Sequence, residues 1–201
     1  MCGRYELFYN EDNYEMAKII ELAIKNTPST SFEPMEVFPS ATAPIIIASN
    51  GKAKPELVKW GFPGFQKNEL IINARSETSS QKPKFKQAFF SRRCVVPSPG
   101  FYEWSHDSQK KKYKFNLPDQ ENLYMAGLWN EYDGEKRFVI LTTSANQSME
   151  PIHNRMPLIL PKELIRSWIH DTDIALSFLT QVPPELLSQN IDPFEQLTLS
   201  P

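Results

Sequence analysis

The sequence is poor in cysteine, with only Cys2 and Cys94 among 201 residues. Two cysteines are too few for a disulfide-stabilised scaffold or a four-cysteine zinc site, and they are typical of a protein from a reducing compartment. Neither Cys-x-x-Cys nor His-x-x-x-His occurs, so the usual spacing of zinc ligands is missing as well. We therefore expect free thiols and no bound metal.

Long apolar runs are also missing, and no stretch is long enough to span a bilayer. Polar residues from Glu6 onward interrupt any apolar run near the N-terminus, which argues against a secretory signal peptide. The chain contains neither a glycine-rich phosphate-binding loop nor a Gly-x-Ser-x-Gly nucleophile elbow. We expect a soluble, cytoplasmic protein without a membrane partner and without a cofactor.

An excess of charge of one sign is absent, because the formal net charge is −2. The distribution is nevertheless uneven. Residues 82–93 contain basic but no acidic residues, whereas acidic residues predominate after residue 162. A basic face of this kind can bind phosphates through counterion release even when the total charge is slightly negative.

The order of predicted elements indicates an α+β protein. Short apolar segments between residues 44 and 143 predict strands, and Asn50-Gly51 predicts a hairpin turn between two of them. Helices are predicted over 12–26, 79–91, 162–169 and 174–179, after Asn146 and near Glu185. Because strands and helices do not alternate, we expect one domain over residues 1–201, with mainly antiparallel, barrel-like or sandwich-like sheets and peripheral helices.

The first candidate for chemistry is Cys2. We expect an aminopeptidase to remove Met1, because the small side chain of Cys2 permits this, and to leave Cys2 with a free α-amine. Unperturbed pKa values of about 7.7–8.0 for the amine and about 8.5 for the thiol leave both groups partly deprotonated near neutrality. Such an aminothiol can attack acyl groups, or condense with an aldehyde to an imine that the thiol closes into a thiazolidine ring.

Polar residues interrupt an otherwise apolar strand at Asn73 and Arg75. If this segment is extended, the two side chains share one face and an amide and a guanidinium point into the same cavity. Ser76 and Glu77 have a simpler interpretation, as the N-cap and the first turn of the next helix.

Glu103 and His153 are the candidates for proton transfer. Glu103 lies between two aromatic residues on a predicted strand, where a carboxylate is costly to bury unless it is paired. It is either a proton shuttle or one half of a buried ion pair with an arginine. His153 precedes Pro157, which disfavours a helix, so it is expected on an extended loop. The other two histidines, His106 and His170, have polar surroundings typical of the surface.

Six short motifs, in this order, closely resemble the SRAP family (SOS response-associated peptidase). They are Cys2-Gly3-Arg4, Trp60-Gly61, residues 73–78, residues 94–104, residues 126–129 and residues 153–157. The resemblance covers nearly the whole chain, although the segment after about Leu160 carries little motif.

The resemblance implies that mature Cys2 attacks the open-chain aldehyde of an abasic site in single-stranded DNA and forms a stable thiazolidine crosslink. By the same resemblance Cys2 is the nucleophile, Asn73 orients the terminus or the sugar, Glu103 is the acid/base group, and His153 assists ring opening. A monomer that associates with the nucleoid when bound to DNA is expected.

The resemblance also implies four DNA-binding residues. Arg4, Arg75 and Arg155 match phosphate-contacting positions, and Trp60 matches a residue that stacks beside the lesion. Specificity then needs no base readout, because the missing base leaves room for the protein terminus.

Two other classes of function stay open. In the first, Cys2 and His153 serve a peptidase, amidohydrolase or lyase. Met-Cys-Gly also opens the class II glutamine amidotransferases, from which this chain departs by placing Arg4 where an aliphatic residue is usual. In the second, the protein is a non-covalent reader of damaged or modified single-stranded DNA and uses Arg4, Arg75, Arg155 and Trp60.

Overall fold

Strands dominate the computed structural model, which describes residues 2–7, 13–30, 32 and 36–192. The strands are β1 (Arg4–Glu6), β2 (Glu36–Val37), β3 (Thr42–Ser49), β4 (Lys52–Trp60), β5 (Phe62–Pro63), β6 (Leu70–Ile71), β7 (Asn73–Arg75), β8 (Arg93–Ser98), β9 (Phe101–Trp104), β10 (Lys112–Asn116), β11 (Leu123–Tyr132), β12 (Glu135–Ser144), β13 (Arg155–Pro157) and β14 (Leu187–Asn190). The helices are α1 (Tyr14–Asn26), α2 (Ser76–Ser79), α3 (Pro83–Ser91), α4 (Ile165–His170) and α5 (Thr172–Phe178), with a 3₁₀ turn at Lys162–Leu164.

The larger sheet closes into a barrel. Strand β12 pairs in parallel with β4 and antiparallel with β11, and the antiparallel pairs β11–β8, β8–β3 and β3–β4 complete the ring. Strands β7 and β13 also pair with β12. The β3–β4 hairpin turns at Asn50 and Gly51, which have φ angles of 51° and 72°, as the Asn-Gly signal predicts.

The smaller sheet carries the N-terminal segment. Its strand order is β14-β10-β9-β1-β2, and all of its pairs are antiparallel. Within it, Arg4 of β1 lies opposite Tyr102 of β9. This register brings the residues that precede Arg4 alongside Glu103, which is how the fold delivers Cys2 to a carboxylate 101 positions away along the chain.

Two apolar clusters form the core. One joins the two sheets and includes Cys2, Tyr5, Trp60 and Phe138, and the other lies between the barrel and helices α3, α4 and α5. In the second cluster the buried Arg93 donates hydrogen bonds to the main-chain carbonyls of Phe89, Trp168 and Ile169. Its guanidinium therefore satisfies carbonyls at the ends of two helices.

The predicted class is confirmed, since mainly antiparallel sheets carry helices at their periphery. The predicted helix at 12–26 appears as α1, although residue 12 lies outside the described residues. The helix predicted over 79–91 is shorter, because Pro83 starts α3 after an extended Lys82.

Three expectations for local structure are wrong. No helix follows Asn146, because its side chain accepts from Ser148 and donates to the carbonyls of Pro183 and Pro184 in a turn. Residues around Glu185 are irregular. Ser76 does not cap α2, since its hydroxyl donates to the carbonyl of Leu179.

Among the described residues, no helix has the length and apolar character needed to cross a membrane.

Candidate functional site

Asn73 connects the barrel to the N-terminal segment. Its Nδ2 donates a hydrogen bond of 2.9 Å to the main-chain oxygen of Cys2. Alternation along β7 buries Ala74 and leaves Arg75 exposed, while Asn73 is half-buried. A side-chain amide is thereby aimed at the residue predicted to react.

Cys2 is fully buried, and its Sγ lies 3.7 Å from the main-chain oxygen of Arg4. Burial and the negative charge of nearby Glu103 raise the pKa of the Cys2 thiol. The thiol is therefore protonated near neutrality, and any attack by its sulfur requires a base to accept the proton.

Glu103 and His153 provide two groups that can accept a proton. They are only 6% and 7% exposed, respectively. His153 Nδ1 lies 2.9 Å from the main-chain nitrogen of Arg155 and 3.1 Å from its carbonyl oxygen, so the Arg155 main chain fixes this edge of the ring. Burial lowers the pKa of His153, the charge of Glu103 raises it, and the charge of His106 lowers it.

A groove of about 580 Å³ adjoins this cluster. Its lining includes Asn73 and Arg75 of β7 together with Lys82, Lys84 and the aromatic ring of Phe65. Phe65 is 87% exposed, and the ammonium of Lys84 lies 4.6 Å from its ring centroid. The groove thus combines positive charge with an accessible aromatic face, which is what a single strand of nucleic acid requires.

The three predicted phosphate-binding arginines differ in their surroundings. Arg75 is exposed at the groove. Arg155 is held by a bidentate ion pair with Glu77, with distances of 2.6 and 3.0 Å. Arg4 pairs with Glu36 at 3.3 Å and lies over the rings of Phe38 and Trp104. Of the three arginines, only Arg75 lines the groove, where its positive charge also helps to lower the pKa of Glu77.

The comparison with known proteins identifies the family. The sequence profile described as "SOS response associated peptidase (SRAP)" matches residues 1–192. The chain belongs to the SRAP family. The family resemblance seen in the sequence motifs is thereby confirmed.

Two SRAP relatives carry informative names. "Abasic site processing protein YoqW" of Bacillus subtilis is 32% identical over 97% of this chain and 88% of the relative. "Abasic site processing protein YedK" of Escherichia coli is 29% identical over 84% of this chain and 79% of the relative. A crystal structure of a protein from Bordetella bronchiseptica shares the fold, with a TM-score of 0.76 and 22% identity over 95% of this chain and all of that one.

One of the residues matched to SRAP positions lies away from any surface. Trp60 is fully buried, packs against Tyr5 and Phe138, and donates from Nε1 to the carbonyl of Ile72 over 3.0 Å. A ring without an exposed face cannot stack on a base, so the DNA-stacking role expected for Trp60 is not retained.

Sequence reasoning missed two residues. Phe65 follows a Pro-Gly pair in a polar segment, a context that signals an aromatic on an exposed turn. His106 is exposed as expected, but its ring centroid lies 4.6 Å from that of His153, and no sequence signal points to this contact.

In the described parts of the chain, no group of three or more His, Cys, Asp or Glu side chains could hold a metal ion.

Proposed function

We propose that this SRAP protein captures abasic sites in single-stranded DNA by forming a covalent thiazolidine through Cys2. The observation that carries the proposal is the meeting of Cys2, Asn73, Glu103 and His153 beside a basic groove. The printed names of the SRAP relatives, which describe abasic site processing, support the same substrate.

The reaction starts with hydrolysis of the Met1–Cys2 peptide bond, which frees the α-amine. The amine adds to the C1′ aldehyde of the opened sugar, and loss of one water gives an imine. The thiol then adds to the imine carbon, and its proton passes to the nitrogen of the new ring. One aldehyde and one aminothiol therefore give one thiazolidine and one water.

The proton transfers in this series of reaction steps are assigned to Glu103 and His153. An acid must help to open the closed hemiacetal sugar, and a base must accept a proton from the amine and from the thiol. Because burial raises the pKa of the Cys2 thiol, thiolate is scarce and the base acts during attack. Neutral His153 suits that role, since burial lowers its pKa.

The second bond to Cys2 protects the DNA. An imine withdraws electrons and promotes β-elimination, which would break the strand in a lyase reaction. Addition of the thiol removes the imine and stops this step. A thiazolidine therefore leaves the strand intact while it blocks the aldehyde.

Binding of the flanking strand is assigned to the groove. Arg75, Lys82 and Lys84 supply positive charge for phosphates, and Phe65 supplies a face for a neighbouring base. Single-stranded DNA suits this surface because its bases are free to stack and no nucleotide has to be extruded from a duplex.

A crosslinking assay tests the proposal. The protein, with loss of Met1 verified by intact mass, is incubated with a single-stranded oligonucleotide that carries one abasic site and is then run on a denaturing gel. We expect a shifted band whose mass equals protein plus DNA minus one water. The same oligonucleotide with a tetrahydrofuran in place of the abasic sugar has no aldehyde and should give no band.

Cysteine variants provide matched controls. Cys94→Ala removes the other thiol, which is buried in the core, and should crosslink as the wild type does. Cys2→Ala and Cys2→Ser lack the thiol but keep the α-amine once Met1 is removed, so both should give no thiazolidine and at most an imine that borohydride traps. A wild-type protein without Met1 that binds the oligonucleotide but forms no band would instead be a non-covalent reader.

A further inference from the structure

Two imidazole rings lie against each other at the candidate site. The centroids of His106 and His153 are 4.6 Å apart, and their planes are inclined by 38°. His153 is buried, whereas His106 is exposed on the turn that follows β9. His106 therefore lies between the solvent and the imidazole to which we assign proton transfer.

The turn that carries His106 is well defined by hydrogen bonds. The Asp107 carboxylate accepts from Ser105 Oγ at 2.7 Å and from the main-chain N–H groups of Gln109 and Lys110. The main-chain N–H of Lys111 donates to Ser105 Oγ over 2.9 Å. These contacts fix the backbone on both sides of His106, so the ring contact with His153 is built into the turn.

Several charged groups face this pair of rings. Glu103 on β9 favours the imidazolium form of His153, and His106 opposes it. Arg155, at the start of β13, contacts His153 Nδ1 through its main chain, while its guanidinium is paired with Glu77. The charged groups that act on His153 are thus Glu103, the amino terminus and His106, with the Arg155 main chain at Nδ1, while Asp107 accepts hydrogen bonds within the turn that carries His106.

We propose that His106 is a positioning residue that keeps His153 uncharged in mildly acidic solution and thereby sets the lower pH limit of crosslinking at Cys2. This inference rests on the proposed function. Its physical basis is that two imidazolium cations at a centroid separation of 4.6 Å repel each other, so a positive charge on His106 disfavours a second positive charge on the buried ring of His153. A neutral ring can still accept a proton from the attacking group.

Three substitutions separate charge from packing. His106→Phe keeps a ring over His153 and removes the charge, His106→Lys keeps a positive charge and removes the ring, and His106→Gln removes both. If the charge of residue 106 is what matters, the pH at which the crosslinking rate falls on the acidic side should be higher by on the order of 0.5 to 1 pH unit in the Phe and Gln variants. Crosslinking near pH 5.5 should then be roughly three- to tenfold slower, with no change near pH 8.

The Lys variant should keep this acidic fall in rate at the wild-type pH or move it to lower pH, because its charge persists throughout this range. A wild-type profile for His106→Phe together with an altered profile for His106→Lys would overturn the proposal, since only packing would then matter. Thermal unfolding of all three variants excludes a general loss of folding as the cause.

An NMR titration of labelled histidine separates this inference from the proposed function. The chain has three histidines, and His153→Gln assigns the signal of interest. The His153 midpoint should rise in His106→Phe and not in His106→Lys, whether or not DNA is crosslinked. If the midpoint rises but no crosslink forms in the wild type, the proposed function fails alone. If crosslinking occurs and the midpoint does not move, this inference fails alone.

Discussion

At the scale of single residues, one amide holds the segment that carries Cys2. Asn73 reaches the Cys2 main-chain oxygen from β7, which belongs to the other sheet. The hydrogen bond is part-buried and joins positions 71 residues apart in sequence. Besides the pairing of β1 with β9, this contact ties the Cys2 main chain to a distant strand.

Loss of that donor should slow crosslinking without unfolding the protein. Asn73→Ala removes a hydrogen bond with a net contribution of about 1 kcal/mol, and we expect roughly a tenfold lower single-turnover rate because the terminus loses its orientation. Asn130→Ala on β11 is the matched control and should react normally. Equal rates for the two variants would show that Asn73 has no part in positioning Cys2.

Substitutions of Trp60 and Phe65 should affect different properties, because Trp60 is buried and should matter for stability, whereas Phe65 is exposed and should matter for DNA binding. Trp60→Phe should lower the free energy of unfolding by roughly 1–3 kcal/mol through the lost hydrogen bond and contacts, with DNA affinity unchanged. Phe65→Ala should weaken binding to single-stranded DNA by about 1–3 kcal/mol and leave unfolding unchanged. Urea unfolding and fluorescence anisotropy measure the two quantities. A loss of DNA affinity in a stably folded Trp60→Phe would restore the stacking role.

At the scale of elements, the pair formed by Arg155 and Glu77 connects β13 to α2. Hydrogen bonds from Arg155 lower the pKa of Glu77 in the folded protein. A lowered carboxyl pKa contributes stability above the unfolded value of about 4.3, and this contribution is lost as pH falls through the folded pKa. The Glu77 side chain is 38% exposed, so solvent screening limits the contribution.

Glu77→Gln should therefore destabilise the protein at pH 7 by no more than about 1 kcal/mol and have little effect near pH 3. Urea unfolding at several pH values measures the difference from the wild type. Glu131→Gln, at an exposed position on β11, is the matched control. A difference that grows as the solution becomes more acidic would contradict the sign of the linkage.

At the scale of the whole molecule, the groove collects positive charge on a chain whose net charge is −2. Binding of a single strand should weaken as salt increases, because each neutralised phosphate releases counterions. The salt dependence is therefore a measure of how many basic side chains of the groove act together.

Lys82→Gln should reduce the slope of log K against log salt concentration by about 0.7, the value expected for loss of one phosphate contact on a single strand. Lys52→Gln makes the same change of charge at the β3–β4 hairpin, outside the groove, and should leave the slope unchanged. Anisotropy titrations from low to physiological salt provide both values. Identical slopes for both variants and the wild type would remove Lys82 from the DNA path.

Local patterns in the sequence determined much of the fold. Helical spacing predicted α1, and an apolar run that ends at Asn50-Gly51 predicted the β3–β4 hairpin, because these elements depend on neighbours in sequence. The polar motifs that begin at Cys2 and Asn73 also stood out, since polar residues on a buried strand violate the pattern around them. These features are local, so one sequence was enough to find them.

Which side chains meet follows from the packing of the strands and helices in three dimensions. Burial of Trp60, exposure of Phe65, capture of Arg155 by Glu77 and the contact of His106 with His153 arise where segments far apart in sequence pack together. Each depends on which strand lies beside which, as where β12 pairs with both β7 and β13 and so brings Arg155 near Glu77. Patterns within one segment specify which face of a strand is apolar, but they do not specify the partner that will cover it.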